Sequence, residues 1–129
     1  MDIGCGYGFL ISRLNEVCPD SKVTGTDISR YQIMNAKLRR TQGPLVVCCA
    51  EYMPFRENIF NFVVCSEVIE HVVDPKASLL EMERMLKNNG YLCISTDNPL
   101  SIYRRIVKLI FKIMKWKKVL KKSSSLLIH

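Results

Sequence analysis

Asp2-Ile3-Gly4-Cys5-Gly6-Tyr7-Gly8 stands near the start of the chain, and its reading decides the fold. Met1, Asp2 and Ile3 read as the end of a strand. Glycines at alternate positions follow. An apolar pattern then runs from Phe9 to Val17, with Leu10, Leu14 and Val17 predicted on one helix face. A strand that passes through a glycine turn into a helix lets backbone approach a ligand closely and aims the helix N-terminus at it. The dinucleotide fingerprint G-x-G-x-x-G fails here, because its third glycine position falls on Phe9. The pattern is D-x-G-x-G-x-G, which suits a ligand loop or a plain structural turn.

Working outward, Pro19-Asp20 breaks the first helix, and Lys22 to Thr26 forms a short strand ending at Asp27. Ser29 is the predicted N-cap of a helix over residues 30–41, which Gly43-Pro44 ends. Leu45 to Cys49 and Phe60 to Cys65 are continuous apolar runs, as in strands buried on both faces. Asp74-Pro75 starts another helix, with Leu79, Met82 and Leu86 on its apolar face and Gly90 as its stop. Tyr91 to Ser95 is a further strand. Strands alternating with helices define an α/β protein with a doubly wound, mainly parallel sheet of about five strands. Asp27 ends the second strand, so its carboxylate faces the crevice above the sheet. It can accept bonds from sugar hydroxyls there or cap the next helix; Ser29 already supplies a cap, which favours the sugar.

The charge is uneven. Residues 1–98 carry ten Lys/Arg against twelve Asp/Glu, whereas residues 99–129 carry nine Lys/Arg and no acid. The basic excess therefore belongs to the tail, and nucleic acid is not the expected partner of the domain before it. The six cysteines form no C-x-x-C pair, and His71 and His129 have no zinc spacing with them. No metal site is expected, and the thiols read as free in a reducing compartment. No secretory signal and no membrane-spanning run is predicted, so the expected location is the cytoplasm.

Five stretches in order, DIGCGYG, TGTDIS, AEYMPF, SEVIEHVVDP and LKNNGYLCIS, resemble the motifs of class I S-adenosylmethionine (SAM)-dependent methyltransferases. The nearest group is typified by the ubiquinone- and menaquinone-biosynthesis enzymes, and the resemblance covers roughly residues 1–100. It implies a Rossmann-like fold, SAM as cofactor, and methyl transfer to a small-molecule or lipid- or glycan-linked acceptor. By position it implies that Gly4, Cys5 and Gly6 wrap the methionine end of SAM, with Asp2 beneath them fixing the ammonium group. Asp27 holds the ribose, Ile28 lies against adenine, Ala50 and Glu51 flank its other side, and Ser66 lies near the methionine moiety. No catalytic residue is assigned; His71, in Glu70-His71-Val72, is carried only as a candidate.

The sequence departs from the family in three places. Cys49 stands where the family usually carries Asp, and a thiol is a weak partner for the adenine amino group. The first strand begins at Met1, and the sixth and seventh strands are expected to be missing, which leaves the fifth as an exposed edge. The predicted organisation is thus a partial SAM-binding domain (1–100), a basic amphipathic helix (101–122) and a flexible tail (123–129). At about 100° per residue, Arg104, Arg105, Lys108, Lys112, Lys115, Lys118 and Lys122 fall within an arc of about 140°. That helix either packs on the domain or makes peripheral membrane contact through residues 102–122. The alternatives to an active methyltransferase are a SAM-binding remnant without activity and a membrane or nucleic-acid adaptor acting through the basic helix.

Overall fold

The apolar runs read as strands become strands in the computed structural model, which describes residues 1–96, 119–122 and 125–128. β1 (Asp2–Ile3), β2 (Gly25–Asp27), β3 (Leu45–Val47), β4 (Phe60–Ser66) and β5 (Leu86–Ser95) lie parallel in the order β3-β2-β1-β4-β5. α1 (Phe9–Val17), α2 (Arg30–Leu38) and α3 (Pro75–Met85) alternate with them. The doubly wound α/β sheet read from the sequence is what forms. Its winding reverses at β1, where Asp2 pairs with Gly25 on one side and Val64 on the other. A crevice opens beyond the carboxyl ends of the strands at such a switch point.

Local chemistry sets the helix ends. Asp74 accepts from the N–H groups of Lys76 and Ala77, and Pro75 takes the first helical position of α3. Ser29 caps α2 by accepting from Gln32 N–H. α2 stops at Leu38 rather than at residue 41, because Arg40 turns left-handed at φ 57° and its N–H donates to Lys37 O. In α1 the buried residue is Ile11; Val17, predicted on the inner face, is 67% exposed.

Gly90 does not stop a helix. Leu86 is already extended (φ −79°, ψ 133°), and Gly90 lies within β5. Phe60 pairs with Leu86 but Phe62 pairs with Tyr91, so β5 bulges between Leu86 and Tyr91. A side chain at Gly90 would meet Leu86 Cγ at 2.7 Å and Asn61 O at 3.1 Å, so the glycine lets the bulge fold back on Leu86.

Two apolar clusters back the sheet. One joins Ile11 of α1 and Ile33 of α2 to Cys5 and Val23. The other joins Leu79, Met82 and Met85 of α3 to Val63, Cys65, Leu92 and Ile94, with Met53 and Ile69 from the loops. Arg84 ties the loop after β3 to α3: it donates to Phe55 O and Met53 O and pairs with Glu81, which accepts from Met53 N–H.

The expectation of a sheet ending at β5 is corrected. β6 (Val119–Lys122) and β7 (Ser125–Ile128) add an antiparallel pair to its edge, giving seven strands in the order β3-β2-β1-β4-β5-β7-β6. Residues 119–122 are therefore not the end of a helix, and 125–128 are not a loose tail. Among the described residues, the outer edge of the sheet passes from β5 to β6. The predicted basic helix over 101–118 lies outside the described residues. Among the described residues, no helix is long and apolar enough to cross a membrane, and no group of three or more His, Cys, Asp or Glu could hold a metal ion.

Candidate functional site

The carboxyl ends of β1, β2 and β4, with the loop after β3, enclose a cavity of about 640 Å³, within the range of small-molecule sites. Its floor is the glycine loop. Gly4 has φ +72°, and a Cβ there would stand 2.1 Å from Val68 Cγ2 in the loop after β4. The bare backbone therefore lets two loops meet. Cys5 N–H donates to Thr26 O at 2.8 Å and holds the loop against β2.

Asp27 closes the second wall. Its Oδ2 accepts from Gly6 N–H at 2.9 Å and its Oδ1 from Ser29 N–H at 2.8 Å. One carboxylate thus fixes both the glycine loop and the entry to α2, with a further lone pair left on each oxygen. Across the cavity, Glu51 Oε1 accepts from Val73 N–H at 2.9 Å and Asp74 N–H at 3.3 Å. That carboxylate ties the loop after β3 to the loop before α3.

Of the residues singled out from the sequence, Gly4, Gly6, Asp27, Ile28, Ala50, Glu51 and His71 border the cavity, as does Cys49. Asp2, Cys5 and Ser66 do not. Asp2 is 3% exposed in β1. Burial pushes its carboxyl up to about 6, the chain's ammonium group opposes this, and Asp27 adds to it. Burial, then Asp2 and Asp27, push the Cys5 thiol up to about 12, which leaves it a neutral packing group. The six cysteines are free; Cys93 lies within β5 as read, but Cys48 and Cys49 fall outside the strand expected to hold them, and all three are only half buried. Cys48 and Cys49 lie past the end of β3, in the cavity wall.

Ser66 belongs to a chain of polar groups beside the cavity. Ser95 donates to Glu67 Oε1 at 2.6 Å and shares a 2.8 Å bond with Ser66. Glu67 itself borders the cavity and is left-handed at φ 53°, an unusual state for a non-glycine residue and one that clusters at functional sites. Sequence reasoning missed it; its place one residue past the end of β4 was the available signal. Gln32 was missed as well, because only the turn of α2 brings it to the cavity.

The charge around the cavity is one-sided. Asp27, Glu51, Glu67 and Asp74 border it, and no Lys or Arg does so among the described residues. A phosphorylated ligand finds no counter-charge there. A neutral or cationic one is favoured.

An open α/β sheet with a glycine loop, an acid at the end of β2 and a cavity at the switch point defines a nucleoside-cofactor-binding protein. Residues 1–94 match the family model described as a methyltransferase domain. The chain is 37% identical over 102 residues to a ubiquinone biosynthesis O-methyltransferase of Bradyrhizobium diazoefficiens, covering 76% of this chain and 39% of that protein. It is 32% identical over 103 residues to a ubiquinone/menaquinone biosynthesis C-methyltransferase of Desulfotalea psychrophila, covering 77% and 42%. A SAM-dependent methyltransferase structure from Aquifex aeolicus superposes with a TM-score of 0.75 at 20% identity, covering 98% of this chain and 78% of that one. The chain belongs to the class I SAM-dependent methyltransferases, whose cofactor is S-adenosylmethionine. It spans about two fifths of the length of the curated relatives it matches.

The residues present fit that cofactor. SAM carries a sulfonium and an ammonium group and no phosphate, which agrees with a cavity bordered by four acids and, among the described residues, by no Lys or Arg. The space at Gly4 that a Cβ would fill is closed by Val68, so backbone and an apolar side chain form the floor.

Proposed function

We infer that the chain serves SAM-dependent methyl transfer to a small-molecule or lipid- or glycan-linked acceptor. The observation that carries this reading is the cavity bordered by four acids and, among the described residues, by no Lys or Arg. In it the Gly4–Gly6 backbone holds the methionine end, with Asp2 behind the loop as the countercharge to the ammonium group. Asp27 takes the ribose hydroxyls on its remaining lone pairs. Ile28, 74% exposed, and Ala50 sandwich the adenine. Glu51 flanks the adenine beside Ala50 and holds the Val73–Asp74 backbone through Oε1.

Bound SAM supplies an electrophilic methyl group, so the protein's task is to place the acceptor in line with it. Glu67 stands on that side, with its carboxylate held by Ser95, where it can take a proton from an acceptor hydroxyl. His71 borders the same space, and its backbone N–H donates to Val68 O, which fixes the loop that carries it. The two curated relatives are named for O- and C-methylation in quinone biosynthesis, so phenolic quinone precursors are the first acceptors to assay.

Calorimetric titration tests the reading: SAM should bind in the micromolar range and ATP should not bind. Equal binding of ATP would exclude it. The pH dependence is a sharper check. Asp2 titrates near 6 in the folded chain, and a cationic ligand favours its ionised form. Below pH 6, binding must expel a proton from Asp2, so affinity falls by up to about tenfold per pH unit. Above that value affinity is level. Asp2→Asn should bind weakly and with no such slope; a slope that survives in this variant would place the titrating group elsewhere.

A further inference from the structure

Ser29 and Gln32 have the spacing of a capping box, in which the N-cap side chain takes the N–H of the third helical residue and that residue's side chain reaches back to the N-cap N–H. Only half of it forms. Ser29 Oγ accepts from Gln32 N–H at 3.3 Å, but Ser29 N–H is given to Asp27 Oδ1 at 2.8 Å. Asp27 has taken the partner that the Gln32 amide would use. Gln32 Oε1 is left shielded from solvent with no donor. Three side-chain oxygens or nitrogens are in this state among the described residues, on Gln32, Thr41 and Glu70, and of these residues Gln32 alone borders the cavity.

A buried acceptor without a donor is unfavourable unless something supplies the missing bond. The carboxylates around the cavity each already accept from the protein, Asp27 from Gly6 and Ser29, Glu51 from Val73 and Asp74, Asp74 from Lys76 and Ala77, and Glu67 from Ser95, whereas Gln32 Oε1 accepts from nothing. Cys48 and Cys49, on the wall beyond β3, offer only sulfur, a weak acceptor.

We propose that the Gln32 side-chain amide oxygen accepts from the exocyclic amino group of the cofactor's adenine and is the residue that selects adenine over other purines. This rests on the reading of the cavity as a SAM site. It gives the unpaired oxygen its donor, and it supplies the acceptor that Cys49 cannot.

The test is calorimetric binding of S-adenosylhomocysteine and S-inosylhomocysteine, which presents a carbonyl in place of the amino group, to the whole chain and to Gln32→Met and Gln32→Glu. The unaltered chain should prefer the adenosyl compound by about tenfold or more, the scale of one buried hydrogen bond lost together with an unpaired group. Gln32→Met should bring the preference to within about threefold, and Gln32→Glu, which keeps an acceptor, should retain it. Because the result is a ratio within each variant, a general loss of folding does not mimic it. An undiminished preference in Gln32→Met overturns the proposal while the cofactor reading stands. Failure of the unaltered chain to bind either compound overturns both.

Discussion

Gly4→Ala lowers the stability of the chain by about 3 kcal/mol and abolishes cofactor binding. Two effects add. A left-handed backbone disfavours any L-residue by about 1–2 kcal/mol, and Gly4 is held at φ +72°. The new Cβ also lands 2.1 Å from Val68 Cγ2. Val68 is β-branched and has little freedom to turn aside, so the collision displaces backbone, at a typical overpacking cost of about 1–3 kcal/mol. The loop after β4 then shifts with Val68, carrying Glu67 and His71 away from the cavity. Urea unfolding measures the first part and SAM titration the second. Val68→Ala in the same chain removes the collision but leaves the strained φ. The double variant should therefore recover roughly half of the lost stability. A single variant as stable as the parent would show that the loop does not pass through this turn.

The fold was legible to the extent that its causes are local. Asp74-Pro75 and Ser29 announce helix starts through their own backbone bonds, and both cap as read. Asp27 was found because Lys22 to Thr26 reads as a short strand that ends there, and β2 does end at Asp27. What escaped depends on partners distant in sequence. Gly90 resembles a helix stop, yet it serves a bulge that exists only because β5 pairs with β4. Ser125 to Ile128 is too short to read as a strand until β5 offers its edge. Lys121 and Lys122 fit a basic helix by composition alone, and only pairing with β7 separates the two outcomes. The same holds for the site. Asp2, Cys5 and Ser66 lie in the right motifs, but the first two are buried beside the cavity and Ser66 turns to Ser95. Motifs place backbone near a ligand; which side chain faces it is decided by packing. Gln32 and Glu67 show the converse: both border the cavity, although no family motif read from the sequence assigned them a role there.

Asp27→Ala weakens SAM binding by about 100-fold or more, the scale of two charge-assisted hydrogen bonds lost from the ribose. The same change removes the acceptor of Gly6 N–H and Ser29 N–H, so the glycine loop and the start of α2 lose their common anchor. Calorimetry with the stable product S-adenosylhomocysteine reads the binding loss, and urea unfolding reads the loss of the anchor. Asp27→Asn separates the two: its carbonyl oxygen keeps one of the backbone bonds, but its amino group faces the other donor, so both losses should be intermediate. The stability loss of Asp27→Ala should also fall short of two bonds. Ser29 N–H is now free, and the Gln32 amide, denied this partner by Asp27, can close the capping box. In Asp27→Ala/Gln32→Met no amide remains to do so. The double variant should therefore lose more stability than the two single variants added together. A strictly additive result would mean that Gln32 cannot reach back to Ser29, and that Asp27 alone organises the start of α2.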